Sequence, residues 1–200
     1  MKKIFLILSA IFISTTYTFA VDYSQFDVND INAANKAVKA YHEEFKDKRR
    51  TKEADEELEK FWDFYLQFEN AQSDKIYLPY TTVNGSIAKQ IKIYSKQYYK
   101  YGLIAQFDEG EFFIVPSRKY LYRNFRYYVT KEKQALMKFD TQFDERVVSD
   151  LRFIVPKSKI ESYIKFYKKF YKKYPEYSKT HNIDEFIKYY EDKLINYPNI

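Results

Sequence analysis

Apolar side chains recur at helical spacing from residue 31 onward. A first stripe steps by three and four residues: Ile31, Ala34, Val38, Tyr41 and Phe45. A second stripe follows with the same steps: Ala54, Leu58, Phe61, Tyr65 and Phe68, widened by Trp62 and Leu66. Each stripe predicts an amphipathic helix, and Asp30 is the expected cap of the first. Because the charged break at residues 46–52 is short, we expect an antiparallel helical hairpin.

The middle of the chain begins with an extended segment and continues with a helix. Residues 76–83 contain Pro79 and β-branched side chains and run into Asn84-Gly85, a pair typical of turns. Ser86 is predicted to cap the helix that follows. Gly102 follows the end of that helix, at a position that favours a left-handed backbone conformation.

A strand-like pattern occupies one short region, after which helical spacing returns. Residues 103–107 and 111–115 predict a β-hairpin with its loop at 108–110. Further helices are predicted at 117–128, 130–143, 158–174 and 184–194. Ser117, Thr130 and Ser158 are the expected caps of the first three, and Pro175 is expected to end the third. The pattern of residues 147–155 is ambiguous. The pattern therefore predicts a mainly α fold, an irregular bundle or stack of about seven helices with one small β-hairpin near 103–115. The alternative is an α+β fold with a larger central sheet.

Residues 1–20 have the pattern of a cleavable secretory signal peptide. A basic start precedes the apolar run 4–13, and Thr18 and Ala20 offer small side chains to a signal peptidase. The apolar run is about half of the roughly 20 residues that a membrane span requires. We therefore expect export to the periplasm or the exterior, no transmembrane anchor after cleavage, and a single globular domain over residues 21–200.

The chain contains no cysteine. A lipoprotein needs a cysteine at its cleavage site, so lipid anchoring is excluded. Disulfides, thiol catalysis and cysteine-ligated zinc are excluded for the same reason. We expect no cofactor, and the exported domain must be stabilised by its core alone.

Aromatic residues are unusually abundant, with 22 Tyr and 18 Phe, while glycine occurs only 3 times. Lys, Ile, Asn, Tyr and Phe are all encoded by AT-rich codons, so genome composition explains much of this bias. A tyrosine packs on an apolar face when its hydroxyl reaches water or a partner. The aromatic residues therefore indicate the core first and ligand binding second.

The charge is unevenly distributed along the chain. Residues 21–75 carry 9 basic and 14 acidic side chains, a net −5, whereas residues 76–200 carry 23 basic and 14 acidic, a net +9. Within the predicted helix 158–174, five lysines fall in an arc of about 140° at roughly 100° per residue: Lys165, Lys168, Lys169, Lys172 and Lys173. Apolar residues occupy the opposite arc. This basic face is the candidate site for an anionic partner, although a solvated lysine face of a core helix is the simpler interpretation.

Residues that suggest catalysis form no complete motif. His42-Glu43-Glu44 begins like a zinc-protease helix, but position 46 is lysine and the chain has only one other histidine, His181. The acidic residues of the predicted hairpin tip, and those at 140, 144 and 145, are expected to face water. No nucleophile elbow or phosphate-binding glycine loop is present. We therefore predict no catalytic residues and no metal site.

These observations favour an exported, non-catalytic binding or interaction module of the bacterial envelope. Its expected partner is an acidic protein, an anionic glycan or an anionic lipid surface, and export argues against nucleic acid. Two alternatives remain open: a hydrolase that acts on envelope polymers through paired carboxylates, and an inhibitor of an envelope-acting toxin or enzyme. The hydrolase requires an acid and a base across one cleft.

Overall fold

The computed structural model describes residues 21–81, 85–144, 148–149, 152–153 and 155–197. Within these ranges the helices are α1 (Ala33–Phe45), α2 (Lys52–Ser73), α3 (Ile87–Tyr98), α4 (Arg118–Phe125), α5 (Lys131–Asp140), α6 (Lys157–Lys173), α7 (Pro175–Thr180) and α8 (Ile183–Ile195). The strands are β1 (Leu103–Asp108), β2 (Glu111–Pro116), β3 (Val148–Ser149) and β4 (Arg152–Phe153). The prediction of a mainly α fold with a small hairpin near 103–115 is confirmed. None of the helices in these ranges combines the length and the apolar composition needed to span a bilayer.

The hairpin is tighter than the sequence suggested. β1 and β2 pair antiparallel from Leu103 opposite Pro116 to Asp108 opposite Glu111. The loop is therefore the two residues Glu109 and Gly110, whose φ angles of 50° and 89° are those of a type I′ turn. The predicted loop 108–110 is one residue too long because Asp108 belongs to the strand.

The sheets of the described residues contain two strands each, so the alternative with a larger central sheet is not supported there. β3 and β4 lie in the region 147–155 that the sequence left ambiguous, and they pair over two residues. The predicted turn at residues 82–84 lies outside the described residues.

The predicted caps of three helices are confirmed. The hydroxyls of Ser86, Ser117 and Thr130 accept hydrogen bonds from backbone N–H groups in the first turn of the helices that follow them. Asp30 was predicted wrongly, because its carboxylate accepts from the N–H of Asn32 at 2.9 Å and forms a turn before the helix. α1 consequently begins at Ala33.

Prolines set the boundaries of the C-terminal helices more closely than the sequence pattern predicted. α6 begins at Lys157, directly after Pro156, so the prediction that Ser158 caps it is wrong. Pro175 does follow the end of α6, yet it also occupies the first position of α7, where its missing N–H costs nothing. The short helix α7 is therefore the additional element that brings the number of described α-helices above the predicted seven.

A main core is formed by side chains of α1–α5 and the hairpin. Around its centre, Tyr65 is fully buried and donates a hydrogen bond from its hydroxyl to the carbonyl of Gly102. The N–H of Ser117 donates to the same carbonyl at 2.8 Å. α2, the start of β1 and the start of α4 therefore meet at one oxygen atom.

Two further buried tyrosines of the main core also have hydroxyl partners. Tyr41 donates to the carbonyl of Ala54 at 2.8 Å, and Tyr94 donates to the carbonyl of Pro79 at 2.6 Å. These bonds let large rings fill the interior without leaving their polar atoms unsatisfied.

A C-terminal core lies between α5 and the helices α6–α8. It consists of two clusters of buried side chains, and Phe139 and Tyr190 pack against both. The Phe139 ring lies parallel to that of Phe166 with 3.7 Å between the centroids, and it meets Tyr163 and Tyr167 edge-on. α5 thus joins the two cores, because Met137 of the same helix is buried in the main core.

Replacing Gly102 with alanine should strongly destabilise the fold. Gly102 has a φ of 88°, and an added Cβ would collide with the Tyr65 hydroxyl and touch the Tyr120 ring. Gly110 has a similar φ of 89° but open space around it. We expect Gly110→Ala to cost about 1 kcal/mol of unfolding free energy and Gly102→Ala at least about 2 kcal/mol more, measured by urea unfolding. Equal losses would contradict the close packing at Gly102.

Candidate functional site

The basic face of α6 is exposed, and its opposite side is buried. All five lysines of this face are exposed to solvent. The buried residues of the helix are those of the predicted apolar arc: Ile160, Tyr163, Ile164, Tyr167 and Phe170. The predicted amphipathic geometry is therefore present, and the lysines project from a helix that the C-terminal core fixes in place.

Few protein groups neutralise the lysines of this face. Lys168 forms an ion pair with Glu191 of α8 at 2.5 Å, and the ammonium of Lys173 lies 4.8 Å from the centre of the Tyr174 ring. Lys165, Lys169 and Lys172 have no ion pair or ring contact with the residues that the structure describes. No described side chain therefore compensates three positive charges of the face.

The two histidines that suggested a zinc motif make ring contacts with neighbouring tyrosines. His42 is half-buried, its Nε2 lies 2.7 Å from the carbonyl oxygen of Asn124, and its ring stacks on Tyr128 at 5.1 Å between centroids. His181 is exposed and stacks on Tyr177 at 3.8 Å. In the described ranges, no group of three or more histidine and carboxylate side chains is arranged to hold a metal ion.

We predicted that the acidic residues near the end of α5 face water, and this prediction is wrong for Asp140 and Asp144. The Asp144 carboxylate accepts hydrogen bonds from the Ser117 hydroxyl at 2.9 Å and from the backbone N–H of Arg118 at 2.6 Å, so it caps α4. Asp140 is half-buried and lines a groove. Glu145 lies outside the described residues. At the hairpin tip, Glu109 and Glu111 are exposed as expected.

A central groove runs between the two cores. It has two lobes, with volumes of about 390 and 750 Å³. The linings of the two lobes share four residues: Trp62, Arg118, Asp140 and Phe186. These residues come from α2, α4, α5 and α8. The groove therefore exists because α5 connects the cores without closing the space between α2 and α8.

Charged groups of both signs lie among the aromatic rings of the groove. Lys133 pairs with Glu59 in the smaller lobe, and the Arg118 guanidinium lies 5.6 Å from the centre of the Phe143 ring. The Asp140 carboxylate forms neither a hydrogen bond nor an ion pair with any described residue. Burial raises the pKa of Asp140 to about 6, and the charges of Arg118 and Lys133 oppose that rise without cancelling it.

The sequence contained one signal of this groove. Trp62 and Leu66 widen the apolar stripe of α2 beyond the width that one helix needs for packing. In the structure Trp62 is half-buried and Leu66 is 38% exposed, and both line the larger lobe. The remaining lining comes from distant segments, so no local pattern pointed to Arg118, Asp140 or Phe186.

No protein family, no curated protein and no solved structure matches this chain. The basic face and the central groove are therefore the features from which we infer a function.

Asp140 should make stability depend on pH. Its folded pKa of about 6 exceeds its ordinary value of 3.8, so the folded state holds a proton that the unfolded chain releases. The resulting stabilisation is full below about pH 4 and is lost as the pH rises through 6. Asp140→Asn removes this titration. As the pH rises from 4.5 to 7.5, the unfolding free energy of the variant should therefore increase relative to that of the wild type by on the order of 1–2 kcal/mol.

Urea unfolding at the two pH values measures this gain, with Asp63→Asn, an exposed position on α2, as the control. A pH-independent difference between Asp140→Asn and the wild type would show that the groove does not perturb Asp140.

Proposed function

We propose that the protein is an exported, non-catalytic binding module that contacts an anionic surface or an acidic partner through the basic face of α6. One observation carries this proposal: all five lysines of the face are exposed while the opposite side of the same helix is buried. The export signal in residues 1–20 supports an envelope or external partner. A fixed array of like charges recognises the opposite charge at low reorganisation cost.

The shape of the face favours a macromolecular anion over a small one. Lys165 and Lys173 are separated by eight residues, a distance of about 12 Å along the helix axis. Insertion of α6 into a lipid bilayer would require its apolar side, which is buried in the C-terminal core. Contact with an anionic membrane would therefore be electrostatic only, and acidic proteins and anionic glycans are the partners that we favour.

Reversing the uncompensated charges should abolish this binding. The test is a triple variant in which Lys165, Lys169 and Lys172 are changed to glutamate. We expect this variant to bind immobilised heparin and acidic envelope proteins at least tenfold more weakly than the wild type. Added salt should weaken wild-type binding, because exposed charges are screened within about 10 Å at 0.1 M. Surface plasmon resonance at several salt concentrations measures both effects.

The matched control changes Lys89, Lys92 and Lys96 to glutamate. These three lysines are exposed on one side of α3, so the control has the same net charge and the same number of substitutions. An equal loss of binding in both variants would mean that net charge, and not the α6 face, attracts the partner. Vesicles with anionic lipid, tested in parallel, distinguish membrane contact from binding to a glycan or protein.

A hydrolase of envelope polymers is a second candidate, favoured by two carboxylates that line one lobe of the central groove. Asp140 has a pKa of about 6 and holds a proton that it can give to a leaving oxygen. Glu59 lines the same lobe, where it pairs with Lys133, and is the candidate general base. Glycoside hydrolysis by inversion uses such an acid and base, the base activating a water molecule. The open groove and its aromatic rings are suited to a polymer segment.

The hydrolase candidate predicts loss of activity from changes in the groove. We expect Asp140→Asn to abolish the release of reducing sugar from peptidoglycan sacculi and Phe186→Ala to lower it about tenfold, because an aromatic contact with the substrate is lost. Tyr189→Ala is the matched control, since Tyr189 lies on the same helix and is 45% exposed against 47% for Phe186. Absence of release by the wild type, or equal effects of the two aromatic changes, would reject the candidate.

A further inference from the structure

A buried carboxylate lies beside the first described residue of the chain. Glu57 of α2 is 1% exposed. One of its oxygens accepts a hydrogen bond from Lys60 Nζ at 2.9 Å, and the other accepts from the backbone nitrogen of Val21 at 3.1 Å. The Lys60 side chain is 54% exposed, so solvent screens its charge. A buried carboxylate is costly without a close positive partner, and Val21 occupies the position for one.

The segment that begins at Val21 is held firmly along α2. The Tyr23 ring packs on Phe61 and Phe64 with centroid distances of 5.8 and 5.7 Å. Farther along, Gln72 Nε2 donates to the carbonyl of Val28 at 2.7 Å. The position of the Val21 nitrogen is therefore fixed by contacts on its C-terminal side, which do not involve residues 1–20.

We infer that proteolytic cleavage between Ala20 and Val21 creates the ammonium group that Glu57 binds. A signal peptidase adds one water molecule to this peptide bond, which yields a carboxylate on Ala20 and an α-ammonium group on Val21. Thr18 and Ala20 are the small residues that such a peptidase requires. Two independent features, one in the sequence and one in the fold, thus point to the same bond.

Cleavage changes the chemistry at Glu57 without moving the nitrogen. Before cleavage the Val21 nitrogen is an amide that donates one neutral hydrogen bond. Afterwards it carries a positive charge and three N–H groups, and a charge-assisted bond to a carboxylate is about twice as strong. A cut one residue away would displace the amine by about 3.5 Å along the chain, too far for the same contact. The mature terminus therefore becomes a structural ion pair.

The test compares a chain that begins at Val21 with one that retains Thr18, Phe19 and Ala20. At pH 6.5 the unfolding equilibrium constant of the shorter chain should be about tenfold smaller, measured by urea unfolding. The ion pair raises the pKa of the α-amine above its unfolded value of about 7.7–8.0. The advantage is therefore complete below that range and is lost as the pH rises toward 10.

Three further measurements make the result decisive. Glu57→Gln should remove the difference between the two chains, and an Nα-acetylated Val21 chain, which keeps Glu57 and the N–H but lacks the charge, should behave like the longer chain. Mass spectrometry of the protein exported by a bacterium that expresses residues 1–200 should give Val21 as the first residue. Equal stability of the two chains, or a mature terminus at another residue, would overturn the inference, and neither outcome depends on the basic face.

Discussion

The packing of α5 against two cores at once is the constraint on which the rest of the structure depends. Met137 is buried in the main core, while Phe139, two residues later, stacks on Phe166 and contacts Tyr163 of α6. Residues two apart on a helix point in widely different directions, so one short helix contacts both cores. This arrangement sets the distance between the cores, and the central groove is the space that remains between them.

α6 likewise contributes to two features at once, the central groove and the basic face. Its apolar side packs on α5 and contributes Tyr167 to the larger lobe of the groove, while its other side carries the basic face. Tyr167 also stacks on Phe186 of α8 with 5.6 Å between the centroids, so the position of α8 beside the groove depends on α6. A partner that tilted α6 would therefore change the shape of the groove.

The sequence predicted what depends on local spacing. The helical stripes, the caps at Ser86, Ser117 and Thr130, and the exposed lysines of α6 follow from periodicity and short-range hydrogen bonding, and the structure confirms them. The groove could not be predicted, because it joins side chains that are far apart in the chain. Asp140 appeared to be an ordinary exposed carboxylate, since nothing near it in the sequence shows that α2 and α8 remove it from water.

If the chain is exported as we propose, the position of Glu57 bears on the order of events during export. On an export route that carries unfolded chains, a precursor that folds too stably cannot cross the membrane. Under the inference drawn from Val21, the buried carboxylate lacks its strongest partner until the leader has been removed. The precursor then spends more time unfolded than the mature chain does, and the full stability of the domain is reached only on the far side of the membrane.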